Sequence, residues 1–153
     1  MRDILFKAKR IDNGEWVEGA YFPKTKYPMK KNRAFIWVWQ IGKFYCDYNC
    51  GYLPYEVDEK TICQYTGMTD RNGKKIFEGD VVVDGVRREL CLVIFDEDKA
   101  CFQLCSKFDI YDVGDFNYDT DVKVIGNILD TPELMKIAFY NGIFRIRGKQ
   151  YGI

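Results

Sequence analysis

Short runs in which apolar and polar residues alternate dominate the chain and predict β-strands rather than helices. Apolar and charged residues alternate between Ile4 and Ile11, and a second apolar run ends at Phe22. The two runs are separated by an Asp-Asn-Gly turn at residues 12–14, a combination typical of a β-hairpin. We therefore predict an N-terminal hairpin over residues 1–22.

The next apolar run, Phe-Ile-Trp-Val-Trp-Gln-Ile at residues 35–41, consists mainly of β-forming residues. It is apolar on both faces, which indicates either a central strand or a strand packed against a partner chain. Residues 42–55 are aromatic and predicted to be irregular, and Pro54 argues against a central strand there. A short strand is predicted over residues 57–64.

The glycine-rich stretch at residues 64–83 predicts two tight hairpins in succession. Asp70 and Gly73 bound a four-residue turn, in which the aspartate accepts a backbone N–H and the glycine tolerates positive φ. The dipeptide at residues 84–85 is Asp-Gly, which favours a two-residue hairpin loop. Such hairpins are typical of a small, strongly bent barrel, so we predict a barrel core over residues 57–129.

The C-terminal part predicts one strand and one helix. Residues 122–129 are a strand with a bulge at Gly126 and Asn127. Thr131 and Pro132 provide a helix N-cap and first helical residue, so a helix is predicted over about residues 131–140. Residues 143–153 are basic and are predicted to be either a strand or a tail. The whole chain is interpreted as one mainly β domain, residues 1–153.

Composition supports a folded β protein and excludes some chemistry. The 153 residues include 16% aromatics and equal numbers of basic and acidic residues, 23 each, so no net charge favours nucleic acid or membranes. Histidine is absent, which excludes Ser-His-Asp and Cys-His catalysis within one chain. Six cysteines indicate buried, reduced thiols in a cytoplasmic protein. Cys46 and Cys50 alone do not make a zinc site, and no apolar run is long enough to span a membrane.

Three blocks of the sequence, residues 1–8, 64–82 and 125–134, together resemble the YopX family of small bacteriophage and prophage proteins. The resemblance covers residues 1 to about 135, with Cys63 and Thr131 as mild departures. It implies an SH3-like barrel with β extensions and a short terminal helix, a phage or prophage origin in a bacterial cytoplasm, and no assigned activity. The motif residues fall on predicted turns and a helix start, and we interpret them as structural: Gly67, Asp70, Asn72, Gly73, Glu78, Gly79, Asp80, Gly126, Asn127 and Pro132.

A basic loop at residues 23–34 is the strongest candidate for a binding site. No acidic residue occurs from Gly19 through Cys46. Cations that neutralise phosphates beside rings that stack on bases are typical of nucleic-acid contact, whereas a solvated loop beside core tryptophans is the alternative. The candidate residues are Lys24, Lys26, Lys30, Lys31, Arg33, Trp37 and Trp39.

An acidic segment at residues 109–121 has three interpretations. Its aspartates follow the first half of a calcium-binding loop, but Thr120 and Gly126 stand where that loop requires glycine and glutamate. They also suit an exposed strand that avoids edge pairing, or a patch that meets the basic loop of its own chain or of a second subunit. We predict no metal site and no cofactor.

These observations predict a non-enzymatic phage accessory protein that binds a macromolecule and self-associates. Nucleic-acid binding through residues 24–33 is the alternative hypothesis. A small enzyme that uses carboxylate, tyrosine or lysine chemistry is a second one. Neither a membrane nor a small-molecule ligand is indicated.

Overall fold

The computed structural model describes residues 3–24, 33–41, 50–112, 121–138, 144–146 and 149–151. The described chain consists mainly of antiparallel strands and contains one short α-helix. This confirms the mainly β class. The chain divides into two compact units, Met1–Tyr65 (unit 1) and Thr66–Ile153 (unit 2).

Unit 1 is a curled antiparallel sheet. The predicted N-terminal hairpin is confirmed, since the first two strands pair in antiparallel register. The described strands lie in the order β4-β3-β2-β1-β5. Their bounds are β1 Phe6–Lys9, β2 Trp16–Phe22, β3 Ala34–Ile41, β4 Cys50–Val57 and the start of β5 Cys63–Thr69.

The ends of β1 and β4 meet, which curls the sheet over its apolar face. Arg10 and Val57 form an antiparallel backbone β-bridge, and the backbone N–H of Ile11 donates to the carbonyl of Glu56 at 3.0 Å. The core on this face is formed by buried aliphatic side chains with half-buried neighbours around them. These residues are Ala8, Ala34, Ile36 and Val57, with Phe6, Val17, Tyr21, Val38 and Ile62.

Two predictions in unit 1 are wrong. Residues 50–55 were predicted to be irregular but belong to β4, which tolerates Pro54 because it is the end strand of the described order. The predicted strand over residues 57–64 is interrupted by a 3₁₀ turn, Glu59–Thr61. The turn forms because the Asp58 carboxylate accepts the backbone N–H of Lys60 at 3.0 Å.

Unit 2 is built on a five-stranded antiparallel sheet in the order β10-β9-β8-β7-β11. The end of β5 lies beside β6, and the last two strands pair only with each other among the described strands. The bounds are β6 Lys75–Phe77, β7 Asp80–Asp84, β8 Glu89–Asp96, β9 Cys101–Cys105, β10 Ile110–Asp112, β11 Val122–Asn127, α1 Pro132–Ala138, β12 Phe144–Ile146 and β13 Lys149–Tyr151.

Apolar residues cover both faces of this sheet. Val82 lies in a cluster with Phe102 and Val124, and the next residue back, Val81, lies in a second cluster with Leu92 and Ile128. Successive residues of a strand point to opposite faces, so β7 is buried on both sides. Leu134 of α1 packs against the second cluster, which places the predicted helix over one face.

The predicted closed barrel over residues 57–129 is not observed. The described strands form an open sheet, because the far edge of β11 meets a turn rather than a strand: the Arg71 N–H donates to the Val122 carbonyl at 3.0 Å. The predicted two-residue loop at Asp84 is also wrong. Residues 85–88 form a longer turn, in which the Asp84 carboxylate accepts the N–H of Val86 at 2.9 Å and Arg88 has a positive φ of 58°.

Other predictions for unit 2 are confirmed. A bulge is present in β11 as predicted, but at Ile125 rather than at Gly126 and Asn127: the register against β7 shifts between Val124 and Gly126, and Gly126 and Asn127 pair with Val81 and Asp80. The helix begins at Pro132 and is described to Ala138, while residues 139–140 lie outside the described residues. The basic C-terminal segment contains β12 and β13, which form a hairpin.

Candidate interaction surface

The motif aspartate Asp70 ties its own turn to β11. Its Oδ1 accepts the backbone N–H of Asn72 at 2.8 Å and of Lys74 at 3.0 Å, and its Oδ2 accepts the N–H of Val124 at 3.1 Å. The residue is only 6% exposed. Burial raises the pKa of Asp70, but the backbone donors, led by Val124, outweigh burial and lower it overall.

A second buried polar group connects β7 to the end of β11. The Asp80 carboxylate accepts the Asn127 side-chain amide at 2.8 Å through Oδ1 and the Phe77 backbone N–H at 2.9 Å through Oδ2. The Asn127 carbonyl in turn accepts the Thr131 backbone N–H at 2.9 Å. These bonds connect two sequence blocks to the helix start at Pro132.

The motif glycines serve the same framework. Gly73 and Gly79 both have a φ of 78°, a backbone conformation that favours glycine, and Gly67 in β5 has a φ of 89°. Gly126 allows close packing, since an added Cβ would lie 2.5 Å from the Thr131 hydroxyl. Glu78 is buried in the same turn as Gly79. The motif therefore specifies architecture.

These contacts unite the motif blocks at residues 70–80 and 126–132 into one framework, and both blocks lie within the part of the chain that a family model matches. The family model for YopX protein matches residues 6–136. The chain belongs to the YopX family. No curated protein matches its sequence significantly.

Only part of the predicted basic loop of this YopX protein can be located. Lys26, Lys30 and Lys31 lie outside the described residues. Lys24 forms an ion pair with Glu59, with Nζ 2.7 Å from Oε2, and hydrogen bonding by Lys24 lowers the pKa of Glu59. Arg33 forms an ion pair with Glu56. Partly exposed ion pairs of this kind contribute at most about 1 kcal/mol. An anion that binds Lys24 or Arg33 more tightly can therefore displace the glutamate.

The two candidate tryptophans lie on the surface of the YopX protein. Trp37 is 37% exposed and Trp39 is 51% exposed. Ile36 and Val38, which alternate with them on β3, contact the core of unit 1. The alternative in which these tryptophans belong to the core is therefore wrong.

Sequence analysis missed three further aromatic residues on the same face of the sheet. We call the set the aromatic face: Trp16, Phe22, Phe35, Trp37 and Trp39. Their placement follows from strand alternation, because the intervening residues of β2 and β3 contact the core. Strand register sets Phe22 opposite Phe35, and the Phe22 and Trp37 ring centroids are 5.5 Å apart.

Lysines border the aromatic face at β1. The Nζ atoms of Lys7 and Lys9 lie 4.9 and 5.5 Å from the ring centroid of Trp16, within cation–π distance. The alternation of aromatic with aliphatic residues over residues 35–39 was a usable signal for this face. Its extension to Trp16 required the pairing of β1, β2 and β3, which the sequence does not provide.

The described part of the acidic segment is engaged in local contacts. Asp112 accepts the Gln103 side-chain amide at 2.7 Å, which lowers the pKa of Asp112, and Asp121 forms an ion pair with Arg71. The remaining candidate calcium ligands, residues 115–119, lie outside the described residues. Within the described ranges, no three Cys, Asp or Glu side chains group closely enough to hold a metal ion.

Cys105 is a poor nucleophile, and two other described cysteines are buried as it is. Cys63, Cys91 and Cys105 are buried free thiols, and Cys101 is half-buried. Burial raises the pKa of Cys105 to about 11, so its thiol stays protonated near neutral pH. In the part of the chain that the structure describes, no helix combines the length and apolar character needed to cross a membrane.

Proposed function

We propose that this YopX-family protein is a non-enzymatic accessory module of phage or prophage origin, acting in a bacterial cytoplasm, that holds a macromolecular partner on its aromatic face. The observation that supports this most directly is the exposure of Phe22, Trp37 and Trp39 on one sheet face of unit 1. Aromatic residues are enriched at binding interfaces, where a large apolar ring is covered by a partner.

The energetic argument follows from the area of these rings. An aromatic side chain buries about 150–250 Å² when it is fully covered. For a tryptophan that is half exposed, covering the remaining ~100 Å² would contribute about 2.5 kcal/mol at ~25 cal/mol per Å². Two tryptophans and Phe22 together therefore provide about 300 Å² of apolar surface for the centre of a contact, before the cost of association.

Self-association forms the second part of the proposal. The sequence contains five aspartates and no basic residue between Phe108 and Asp121, and no acidic residue between Gly19 and Cys46. Opposite charge of this kind favours contact between the two segments, and in this proposal they lie on different copies. Separately from self-association, we propose that the strands of unit 2 are arranged in an SH3-like way.

Light scattering tests self-association. We expect a mass that is a multiple of 18.0 kDa at low salt and a smaller mass at high salt, because salt screens the opposite charges. A mass of 18.0 kDa at high protein concentration and low salt would contradict self-association.

Tryptophan emission tests the aromatic face. The chain has three tryptophans, and strand alternation places Trp16, Trp37 and Trp39 on this face, so the whole signal comes from it. We expect the emission to change either as protein concentration rises or when nucleic acid is added. If neither titration changes it, the aromatic face is not the binding surface.

Nucleic-acid binding is the second candidate function, and the exposure of Trp37 and Trp39 favours it. Changing Lys30 and Lys31 to Ala is expected to weaken binding of single-stranded DNA and to reduce its salt dependence. Unchanged affinity would remove these two residues from the interface.

A further inference from the structure

We infer that the aromatic face of unit 1 binds single-stranded nucleic acid. The inference rests on the proposed function, since it names the partner of that face. It places the contact on strands β1 to β3, whereas sequence analysis centred it on the loop at residues 24–33 together with Trp37 and Trp39.

The first argument is the arrangement of the rings. Trp37 and Trp39 are two residues apart on β3, which separates them by about 7 Å along the strand. The ring centroids of Phe22 and Trp37 are 5.5 Å apart. Phe22 is the last residue of β2, and Trp16 is at the opposite end of that strand. The Phe22–Trp37 pair and the Trp39 ring can each stack on a different base, and such stacking tolerates any base sequence.

The second argument is the charge around the rings. Lys7 and Lys9 lie against Trp16, and Lys24 and Arg33 lie at the two ends of the basic loop, so these four cations outnumber Glu18, which lies on the same face of β2 opposite Lys7. Two of them are engaged by glutamates in exposed ion pairs. Because such pairs are weak, phosphates can compete for Lys24 and Arg33, and the Nζ atoms of Lys7 and Lys9 lie over the Trp16 ring on the aromatic face.

The third argument concerns the kind of nucleic acid. The bases of a duplex are stacked on each other, so they cannot stack on protein rings without being splayed out. A sheet face with exposed rings therefore selects single strands over duplex. Aromatic rings do not distinguish deoxyribose from ribose, so this surface is expected to bind both single-stranded DNA and single-stranded RNA.

The experiment measures the binding of labelled oligonucleotides to the full chain by fluorescence anisotropy. The probes are a dT 15-mer, an rU 15-mer and a DNA duplex of equal length, each at several salt concentrations. We expect both single strands to bind more tightly than the duplex. If all four cations contact phosphates, the slope of log K against log salt is about −3. The dT and rU affinities tell DNA from RNA.

Variants then locate the contact. Changing Trp39 to Ala is expected to weaken single-strand binding roughly 5- to 150-fold, the range for loss of one stacked base. Trp39→Phe keeps a ring and is expected to lose less. Phe108→Ala is the matched control, since Phe108 is also an exposed aromatic residue, at 76%, but lies in unit 2 and is expected to have no effect. Circular dichroism verifies that each variant is folded.

The outcomes separate this inference from the proposed function. Absence of single-strand binding at low salt, or binding that Trp37→Ala and Trp39→Ala leave unchanged, overturns the inference. Suppose that nucleic acid does not bind, but that combining Trp37→Ala with Trp39→Ala lowers the mass of the protein measured by light scattering. A second copy of the chain then covers the aromatic face. In that case the inference is wrong and the proposed function stands. If neither nucleic-acid binding nor mass depends on these tryptophans, both are wrong.

Discussion

Replacing Asp70 with Asn tests whether one carboxylate connects the turn at residues 70–73 to β11. The carboxylate accepts two N–H groups of its own turn through Oδ1 and the Val124 N–H through Oδ2. An amide has one acceptor oxygen and one NH₂ group. If the amide oxygen keeps the two hydrogen bonds of the turn, the NH₂ group faces the Val124 N–H, and two donors meet without an acceptor. If the amide flips, the NH₂ group instead faces the two N–H donors of the turn.

The expected cost follows from the donor that is left without an acceptor. Val124 is buried, so its N–H has no water to replace the lost carboxylate oxygen. A buried donor without a partner costs about 1–3 kcal/mol, and a hydrogen bond to a charged group contributes about 1.5–3 kcal/mol. We therefore expect Asp70→Asn to lower the free energy of unfolding by about 1.5–3 kcal/mol.

The matched control is Asp96→Asn. Asp96 also accepts two backbone N–H groups of its turn, from Asp98 at 3.0 Å and Lys99 at 3.2 Å, and both bonds are exposed. One amide oxygen can keep both bonds, so the expected cost is below about 0.5 kcal/mol, as for most surface substitutions.

The assay is urea unfolding with pulsed labelling of Cys105, a thiol in unit 2 that is 1% exposed. Tryptophan emission would not serve, because all three tryptophans are in unit 1. Labelling midpoints that shift equally for Asp70→Asn and Asp96→Asn would refute the idea that the Asp70 carboxylate links the turn to β11.

Three further predictions follow. Because the folded-state pKa of Asp70 lies below its ordinary value, its contribution is complete above about pH 4 and is lost as pH falls through the folded pKa. The difference in free energy of unfolding between wild type and Asp70→Asn should therefore become smaller as the pH is lowered. A difference that stays constant with pH would contradict this. Gly19→Ala should lower stability by roughly 1–3 kcal/mol, because an added Cβ would lie 2.2 Å from a backbone oxygen. Gly51→Ala, with no atom within 4 Å of the added Cβ, should have little effect; because both glycines lie in unit 1, urea unfolding of these two variants is followed by tryptophan emission. In the folded protein a thiol reagent should modify half-buried Cys101 before buried Cys105, as mass spectrometry of the labelled peptides would show; the reverse order would contradict the burial of Cys105.

The sequence predicted several local features that neighbouring residues determine, but not all of them. The turn at Asp70, the bulge in β11 and the helix start at Pro132 each depend on residues that are adjacent in the chain. The turn after Asp84 was mispredicted because its carboxylate captures two backbone N–H groups and extends the loop. That competition between a side chain and the two-residue loop is not visible in the Asp-Gly dipeptide alone.

Long-range features were less predictable. The barrel prediction failed because nothing near Val122 in sequence indicates that the turn at residues 70–73 meets the edge of β11. The aromatic face was only partly predictable for the same reason. Trp37 and Trp39 were recognised as candidates from their own strand, whereas Trp16 and Phe22 join them only through the pairing of separate strands.

The position of the motif residues also bears on what the YopX family shares. Asp70, Asp80 and Asn127 use their polar atoms on backbone and side-chain partners within unit 2, and each is buried. Side chains in that situation stabilise one chain geometry and are poorly placed to contact a partner. A motif of this kind therefore specifies a scaffold, and the proposed binding surface consists of residues outside it. Trp37 and Trp39 are such residues, so changing them should alter binding without altering the fold.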